Sequence, residues 1–190
     1  MEWFRSIILR SLGETLDLLK DDENYIHMML PIKKISNEFE DKLKQRINDS
    51  LKSITIRKAT RSDANNFIKL HKNIWSSTKM PYKPFSKEFV EKLIDDPNIV
   101  FLIANLNEMD VGFGIIHYTG EDNQIGVITA LGITPELQRR GFGTVLGLEI
   151  WKYFEDKGLE ELRCRVSKEN TKAYLFIKSL GFEELDDYLV

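Results

Sequence analysis

The run Ala130-Leu131-Gly132-Ile133-Thr134-Pro135-Glu136-Leu137-Gln138-Arg139-Arg140-Gly141-Phe142-Gly143-Thr144 constrains this chain more than any other stretch. It reads as a buried strand, a short loop, and the first turn of a long helix. Glycine lets a backbone turn tightly and brings its amides close to a ligand. The N–H groups at a helix start lack intrahelical acceptors, and the helix dipole stands behind them, so such a terminus is an anion site. Arg139 and Arg140 add positive charge suited to phosphate. The loop is therefore expected to hold a phosphorylated cofactor. A dinucleotide fingerprint would require a further glycine at position 146, which is Leu146, and a shorter loop after the strand.

At 190 residues the chain suits one domain, with room for an appendage. A hydrophobic fraction of 42% and a charged fraction of 30% are those of an ordinary globular protein. The net charge of −3 favours neither nucleic acid nor an anionic membrane as partner. The single cysteine, Cys164, excludes an internal disulfide framework and a CxxC metal site. The three histidines, His27, His71 and His117, stand at no ligand spacing, so no metal is expected. No apolar run approaches the roughly 20 residues of a membrane span. The apolar stretch after Met1 is too short for a signal peptide. A cytoplasmic protein is expected.

From Ser53 onward the elements alternate in a readable order. Ser53–Ala59 alternates as a half-buried strand does. Thr60–Asp63 reads as a capping box ahead of helical spacing at Phe67, Leu70 and Ile74. Ser76 to Pro84 is looser, and Ser86 to Asp95 reads as a second short helix. Strands follow at Ile99–Asn105 and Val111–Tyr118 around the turn Asn107–Asp110. Gly120–Asn123 turns the chain into a third strand, Gln124 to Ile133. The helix after the loop runs to about Lys157, where Gly158 supplies a left-handed cap. Glu161–Ser167 reads as a strand, Thr171–Leu180 as a helix ended by Gly181, and Phe182–Leu189 as a last strand. Antiparallel strands followed by a parallel crossover predict an α/β (α+β) fold, a mixed, mostly antiparallel sheet with helices on both faces.

Residues 1–52 form an N-terminal extension ahead of a domain at 53–190, and they admit two readings. Phe4, Ile8, Leu12, Leu16 and Leu19 share one helical face, and Ile35 to Leu51 also has helical spacing, which describes a helical arm. Alternatively, Leu9–Asp17 parallels Ile177–Asp186 with one residue skipped. On that reading residues 3–12 are a helix ended by Gly13. Leu16–Lys20 and Tyr25–Leu30 are then strands around the turn Asp21–Asn24.

The order of elements and the loop together resemble the GNAT superfamily of acyl-coenzyme A N-acyltransferases, over Ile54 to Leu189. The family signature Gln/Arg-x-x-Gly-x-Gly/Ala is met by Gln138-Arg139-Arg140-Gly141-Phe142-Gly143, and a second match is Asn170-Thr171-Lys172-Ala173 with Gly181-Phe182. The resemblance implies acetyl-CoA as cosubstrate. Leu131, Gly132 and Ile133 would pair with the pantetheine arm. Amides from Gln138 through Arg139, Arg140, Gly141, Phe142 and Gly143 to Thr144 would bind the pyrophosphate. Asn170 and Ala173 would line the far side of the cofactor. Ser76 to Phe85 and Thr119–Asn123 would shape the acceptor pocket. The implied reaction is attack of an amine, on a small molecule or on a protein N-terminus or lysine, at the thioester carbonyl.

The sequence departs from the family pattern at three places. The usual tyrosine acid, seven residues after the asparagine, is Ile177; Tyr174, one helical turn earlier, is the catalytic candidate in its stead. The position of the usual glutamate base is about Val127. The chain has room for only one strand after Gly181-Phe182, and Tyr25–Leu30 resembles the missing one. That segment is expected to complete a sheet, either this chain's own or that of a homodimer partner by exchange, and residues 1–35 read as the tail of a preceding copy in a tandem arrangement. The alternative to an enzyme is a non-catalytic coenzyme A-binding module or the degenerate half of a tandem pair. Several residues also have plainer readings. Cys164 alternates with Leu162 and Val166 on an inward face and reads as core. Asn170 suits a helix cap. Trp75, Tyr82 and Phe85 divide between pocket wall and core, and His117 between base and ordinary histidine.

Overall fold

In a computed structural model of the chain, residues 24–45, 53–78, 82, 84–120 and 123–185 are described. The strands are β1 (Tyr25–Pro31), β2 (Ile54–Lys58), β3 (Ile99–Leu106), β4 (Met109–Thr119), β5 (Ile125–Ile133), β6 (Glu161–Ser167) and β7 (Glu183–Glu184). The helices are α1 (Asn37–Gln45), α2 (Ala64–Ser76), α3 (Lys87–Asp95), α4 (Phe142–Glu155) and α5 (Thr171–Ser179). The strands form one sheet in the order β2-β3-β4-β5-β6-β1-β7. Every neighbouring pair is antiparallel except β5 and β6, which are parallel because α4 carries the chain back across the sheet. The mixed, mostly antiparallel sheet expected from the sequence is present.

Strand alternation divides the core into two layers. Val100, Leu102, Ile116, Leu162, Cys164 and Val166 pack with Leu146, Ile150 and Phe154 of α4 and Ile177 of α5. Phe101, Ile103, Phe113 and Ile115 point the other way, against Phe67, Leu70 and Ile74 of α2 and Val90 and Leu93 of α3. Burial pushes the Cys164 thiol up to about 12, so it is a core residue rather than a nucleophile.

Tyr25–Pro31 lies inside this chain's own sheet, wedged between β6 and β7. Its whole length pairs with β6, from Tyr25 opposite Ser167 to Pro31 opposite Glu161. Met28 and Leu30 are buried on the helical side. Of the helical spacing over Ile35–Leu51, Asn37–Gln45 appears as α1, whose Phe39 and Leu43 pack beneath the same layer, and residues 46–51 lie outside the described residues. The expected elements at residues 3–12 and Leu16–Lys20 lie outside the described residues. The last strand is described only at Glu183–Glu184, with residues 186–190 also outside that set. The turn between β3 and β4 is shorter than expected. Asn107 and Glu108 take φ of 50° and 65°, and a two-residue hairpin of left-handed residues matches the twist of the flanking strands.

Candidate active site

Strand β5 keeps its antiparallel partner β4 along its length, but it stays with β6 only from Ile125–Val127, opposite Glu161–Arg163. Where the two strands pair they are tightly apposed: a Cβ on Gly126 would lie 2.8 Å from Leu162 Cδ2. Beyond Val127 they part. The register with β4 shifts between Ile115 and Ile116, which leaves Thr129 as an extra residue whose Oγ1 donates to the Ile115 carbonyl at 3.0 Å. A bulge of this kind bends a strand and raises its twist. Leu131, Gly132 and Ile133 therefore pair with β4 on one side and border an open gap on the other. Gly132 admits no side chain, because a Cβ would stand 2.7 Å from Ile74 Cγ2 of α2.

The upper end of β5 runs into the loop. Thr134–Leu137 closes as a short 3₁₀ turn over Pro135–Leu137, and Gln138 Nε2 donates to the Ile133 carbonyl at 3.1 Å. That side-chain bond ties the loop to the strand end. Arg139 and Gly141 take φ of 61° and 90°, which brings the chain abruptly into α4. Val145 is the first amide to find a helical acceptor, the Gly141 carbonyl at 3.1 Å. The amides of Phe142, Gly143 and Thr144 precede it and belong to the turn a helix leaves unpaired. No acidic residue stands in that turn, and Arg139 and Arg140 are exposed beside it. Gly143 has a second duty unseen in the sequence: a Cβ there would lie 2.9 Å from Phe176 Cζ, so its bareness lets α5 pack against α4.

Asn170 caps α5, its side-chain oxygen accepting from the Ala173 amide at 3.1 Å. Ala173 is partly buried against the α4 layer. Tyr174 turns toward the far edge of the sheet. Its hydroxyl donates to the Glu184 carboxylate and accepts from Lys178 Nζ at 3.0 Å. Glu184 is on β7, three strands from β5, so Tyr174 would have to leave that carboxylate to serve a group in the gap. Ile177 is buried in the core. Val127, at the position of the family's usual base, is the last β5 residue paired with β6.

The face of the gap away from α4 and α5 carries different chemistry. His71 of α2 is buried among rings, with Phe85 at 4.6 Å, Trp75 at 4.7 Å and Tyr82 at 5.6 Å between centroids. Desolvation holds its pKa down to about 4, so the imidazole is neutral at pH 7. Trp75, Tyr82 and Phe85 thus meet around one residue of α2. His117, Val127 and Arg163 stand in register across β4, β5 and β6 at the foot of the gap. Arg163 is bonded to Glu161, Nε to Oε1 at 2.6 Å. Arg165, two residues further along β6, lies where β5 has already parted from it, and its guanidinium carbon is 4.4 Å from the Tyr25 ring centroid. Sequence reading followed the buried face of β6 and passed over both arginines. The same alternation of Leu162, Cys164 and Val166 assigns them to the opposite face.

The acetyltransferase (GNAT) family matches residues 65–182. Among curated proteins, an uncharacterized N-acetyltransferase of Methanocaldococcus jannaschii is 26% identical over 70% of this chain and 62% of its own length. The aminoglycoside N(6')-acetyltransferase type 1 of Stenotrophomonas maltophilia is 27% identical over 70% of this chain and 88% of its own length. The mycothiol acetyltransferase of Rhodococcus erythropolis is 33% identical, but the match spans only 31% of that protein. Among solved structures, the PaiA N-acetyltransferase of Thermoplasma acidophilum in complex with coenzyme A superposes with a TM-score of 0.64. It is 25% identical and covers 71% of this chain and 92% of that one.

Proposed function

The chain belongs to the acetyltransferase (GNAT) family, and we propose that it moves the acetyl group of acetyl-CoA directly onto an amine, with no covalent enzyme intermediate. The observation that carries this reading is a coincidence of place. The gap between β5 and β6 ends where the unpaired amides of α4 begin. When bound, acetyl-CoA supplies the thioester carbonyl that the amine attacks.

The chain's own groups do the rest. Amides from Gln138 to Thr144, with Arg139 and Arg140, hold the pyrophosphate. The free edge of β5 at Leu131–Ile133 pairs with the pantetheine arm, as a strand would, and its amides polarise the carbonyl. Asn170 and Ala173 close the far side. An alkylammonium has a pKa of about 10.4 and must shed a proton before it attacks. His117, in register with Val127 at the foot of the gap, would take it directly or through water. Tyr174 is engaged with Glu184, which favours departure of the thiolate without a tyrosine acid. The acceptor is an amine on a small molecule or at a protein N-terminus or lysine. Both kinds occur among the structural neighbours, an aminoglycoside acetyltransferase bound to sisomicin and the Escherichia coli ribosomal-protein-S18-alanine N-acetyltransferase.

The test is titration calorimetry with acetyl-CoA on the wild type and on Arg139→Glu/Arg140→Glu, with thiol release measured over a panel of amines. Both side chains are exposed, so the charge reversal leaves the fold alone. Binding weakened at least tenfold in the variant is expected. Equal affinity in the two proteins, or none in the wild type, would refute the assignment.

A further inference from the structure

Among the described residues, no carboxylate pairs with Arg165. Its Nη1 is buried with no hydrogen-bond partner. Arg163, one pleat below on the same face of β6, is bonded and ion-paired to Glu161. A guanidinium carries five donors in a flat fork suited to an oxyanion. A buried donor on a charged group left without an acceptor is costly, and native proteins rarely keep one without a purpose.

Its position suggests that purpose. Val127 opposite Arg163 is the last pair between β5 and β6. Arg165 lies two residues further, about 7 Å along the strand, beside the open part of the gap. Leu162, Cys164 and Val166 face α4 and α5, so Arg165 faces the other mouth, opposite the side on which the α4 amides gather. That is the mouth by which an acceptor reaches a thioester anchored from the α4 side. Tyr25 of β1 lies beneath the guanidinium at 4.4 Å. A ring in that position holds the fork by a cation–π contact without consuming its donors. The residue that steadies Arg165 thus comes from the N-terminal strand, outside the matched family region.

We propose that Arg165, steadied by Tyr25, binds an oxyanion on the acceptor, so that the amine acetylated here carries a carboxylate or a phosphate. This rests on the acetyl transfer proposed above and names its substrate class. A polycationic amine is a poor fit to the same mouth, where the Arg165 guanidinium would repel it.

The experiment compares kcat/KM for matched amines with saturating acetyl-CoA. L-phenylalanine against phenethylamine and L-lysine against cadaverine form the carboxylate arm; O-phosphoethanolamine against ethanolamine forms the phosphate arm. At least a tenfold preference for the anionic member is expected in one arm, and the arm that responds identifies the oxyanion. Arg165→Gln should erase the preference through KM with little change in kcat, while acetyl-CoA affinity by calorimetry stays at the wild-type value. Arg165→Lys keeps the charge and should keep part of the preference, which separates anion binding from a structural role. Equal kcat/KM within every pair, or a preference that survives Arg165→Gln, overturns the inference while leaving acetyl transfer standing. Acetyl-CoA binding with no amine acetylated overturns the inference as well. Failure to bind acetyl-CoA at all overturns the functional reading beneath it.

Discussion

Replacing Met28 by alanine should destabilise the protein by about 3 kcal/mol, within the range of about 2–5 kcal/mol that removal of a buried methionine, leucine or isoleucine side chain costs. Met28 is 0% exposed. It sits opposite Cys164 on β6 and Glu184 on β7, at the middle of the strand that joins them. Losing its side chain opens a void under α4 and α5 that backbone on both sides prevents from collapsing. For a chain of 190 residues, each kcal/mol moves the melting temperature by about 2–4 °C, so the expected drop is about 6–12 °C. The assay is thermal unfolding by circular dichroism, with urea unfolding alongside to show a lowered midpoint at unchanged slope. Met109, 63% exposed at the start of β4, is the control, and its alanine variant should stay within about 0.5 kcal/mol. The measurement bears on where the domain begins. If residues before 53 were an appendage, Met28→Ala would behave like Met109→Ala, and a shift under about 2 °C would refute the reasoning. A melting temperature that rises with protein concentration would instead mean that the strand is supplied by a second copy.

His71 should make the fold acid-sensitive. Its folded pKa of about 4 lies below the usual 6.5, so protonation favours the unfolded chain. Stability should be full above pH 6.5 and fall by about 3 kcal/mol on the way to pH 4; His71→Phe should flatten that limb of a urea-midpoint profile. Asp63 acts lower on the scale. The Arg57 guanidinium, bonded at 2.8 Å, holds its carboxyl down to about 2 against burial. Its contribution is present above pH 3.8 and lost as the pH falls toward 2. Asp63→Asn should cost about 2 kcal/mol at pH 7 and little at pH 2, read from thermal melts at both. Gly141→Ala must adopt φ of 90°; it should cost about 1–2 kcal/mol in stability and weaken acetyl-CoA binding by calorimetry.

The stretch from β5 into α4 was legible because several local signals coincide there. An apolar run, two glycines and paired arginines all fall within one turn of a helix start, and each depends only on its neighbours in sequence. The strand at Tyr25–Leu30 was legible only as one of two readings, through the likeness of Leu9–Asp17 to Ile177–Asp186 and not through any alternation of its own. Its place was not, because sequence left open whether it completed this sheet or another. That choice depends on β6 having an unclaimed edge, a property of the assembled sheet. Gly143 shows the opposite limit. It looked like a phosphate-loop glycine, yet the contact that forbids a side chain there is the Phe176 ring, thirty-three residues on. Tyr174 sits one turn from the family's acid position, but rotation about α5 turns it to Glu184 rather than to the gap. Arg165 was hidden because its meaning depends on β5 having parted from β6, which no local pattern reports.

The gap and the N-terminal strand are parts of one arrangement. Strand β6 has two edges, and they are unequally used. Along one it pairs with β1 from Glu161 to Ser167; along the other it meets β5 only as far as Arg163. The course of β6 past Arg163 is therefore fixed by β1. Backbone groups on the β5 edge of β6 past Arg163 face the gap without a strand neighbour. The same strand lays Tyr25 under Arg165 at the height where the gap is open. A change in β1 that preserves the fold should thus alter the width and the chemistry of the gap together. Of the elements proposed to hold the cofactor, β5 is separated from β1 by β6, whereas α4 and α5 pack on Met28 and Leu30 of β1, so only a change confined to the Tyr25 face should leave them little affected. On the function proposed above, β1 shapes the mouth that would take the acceptor, while the loop before α4 would hold the coenzyme.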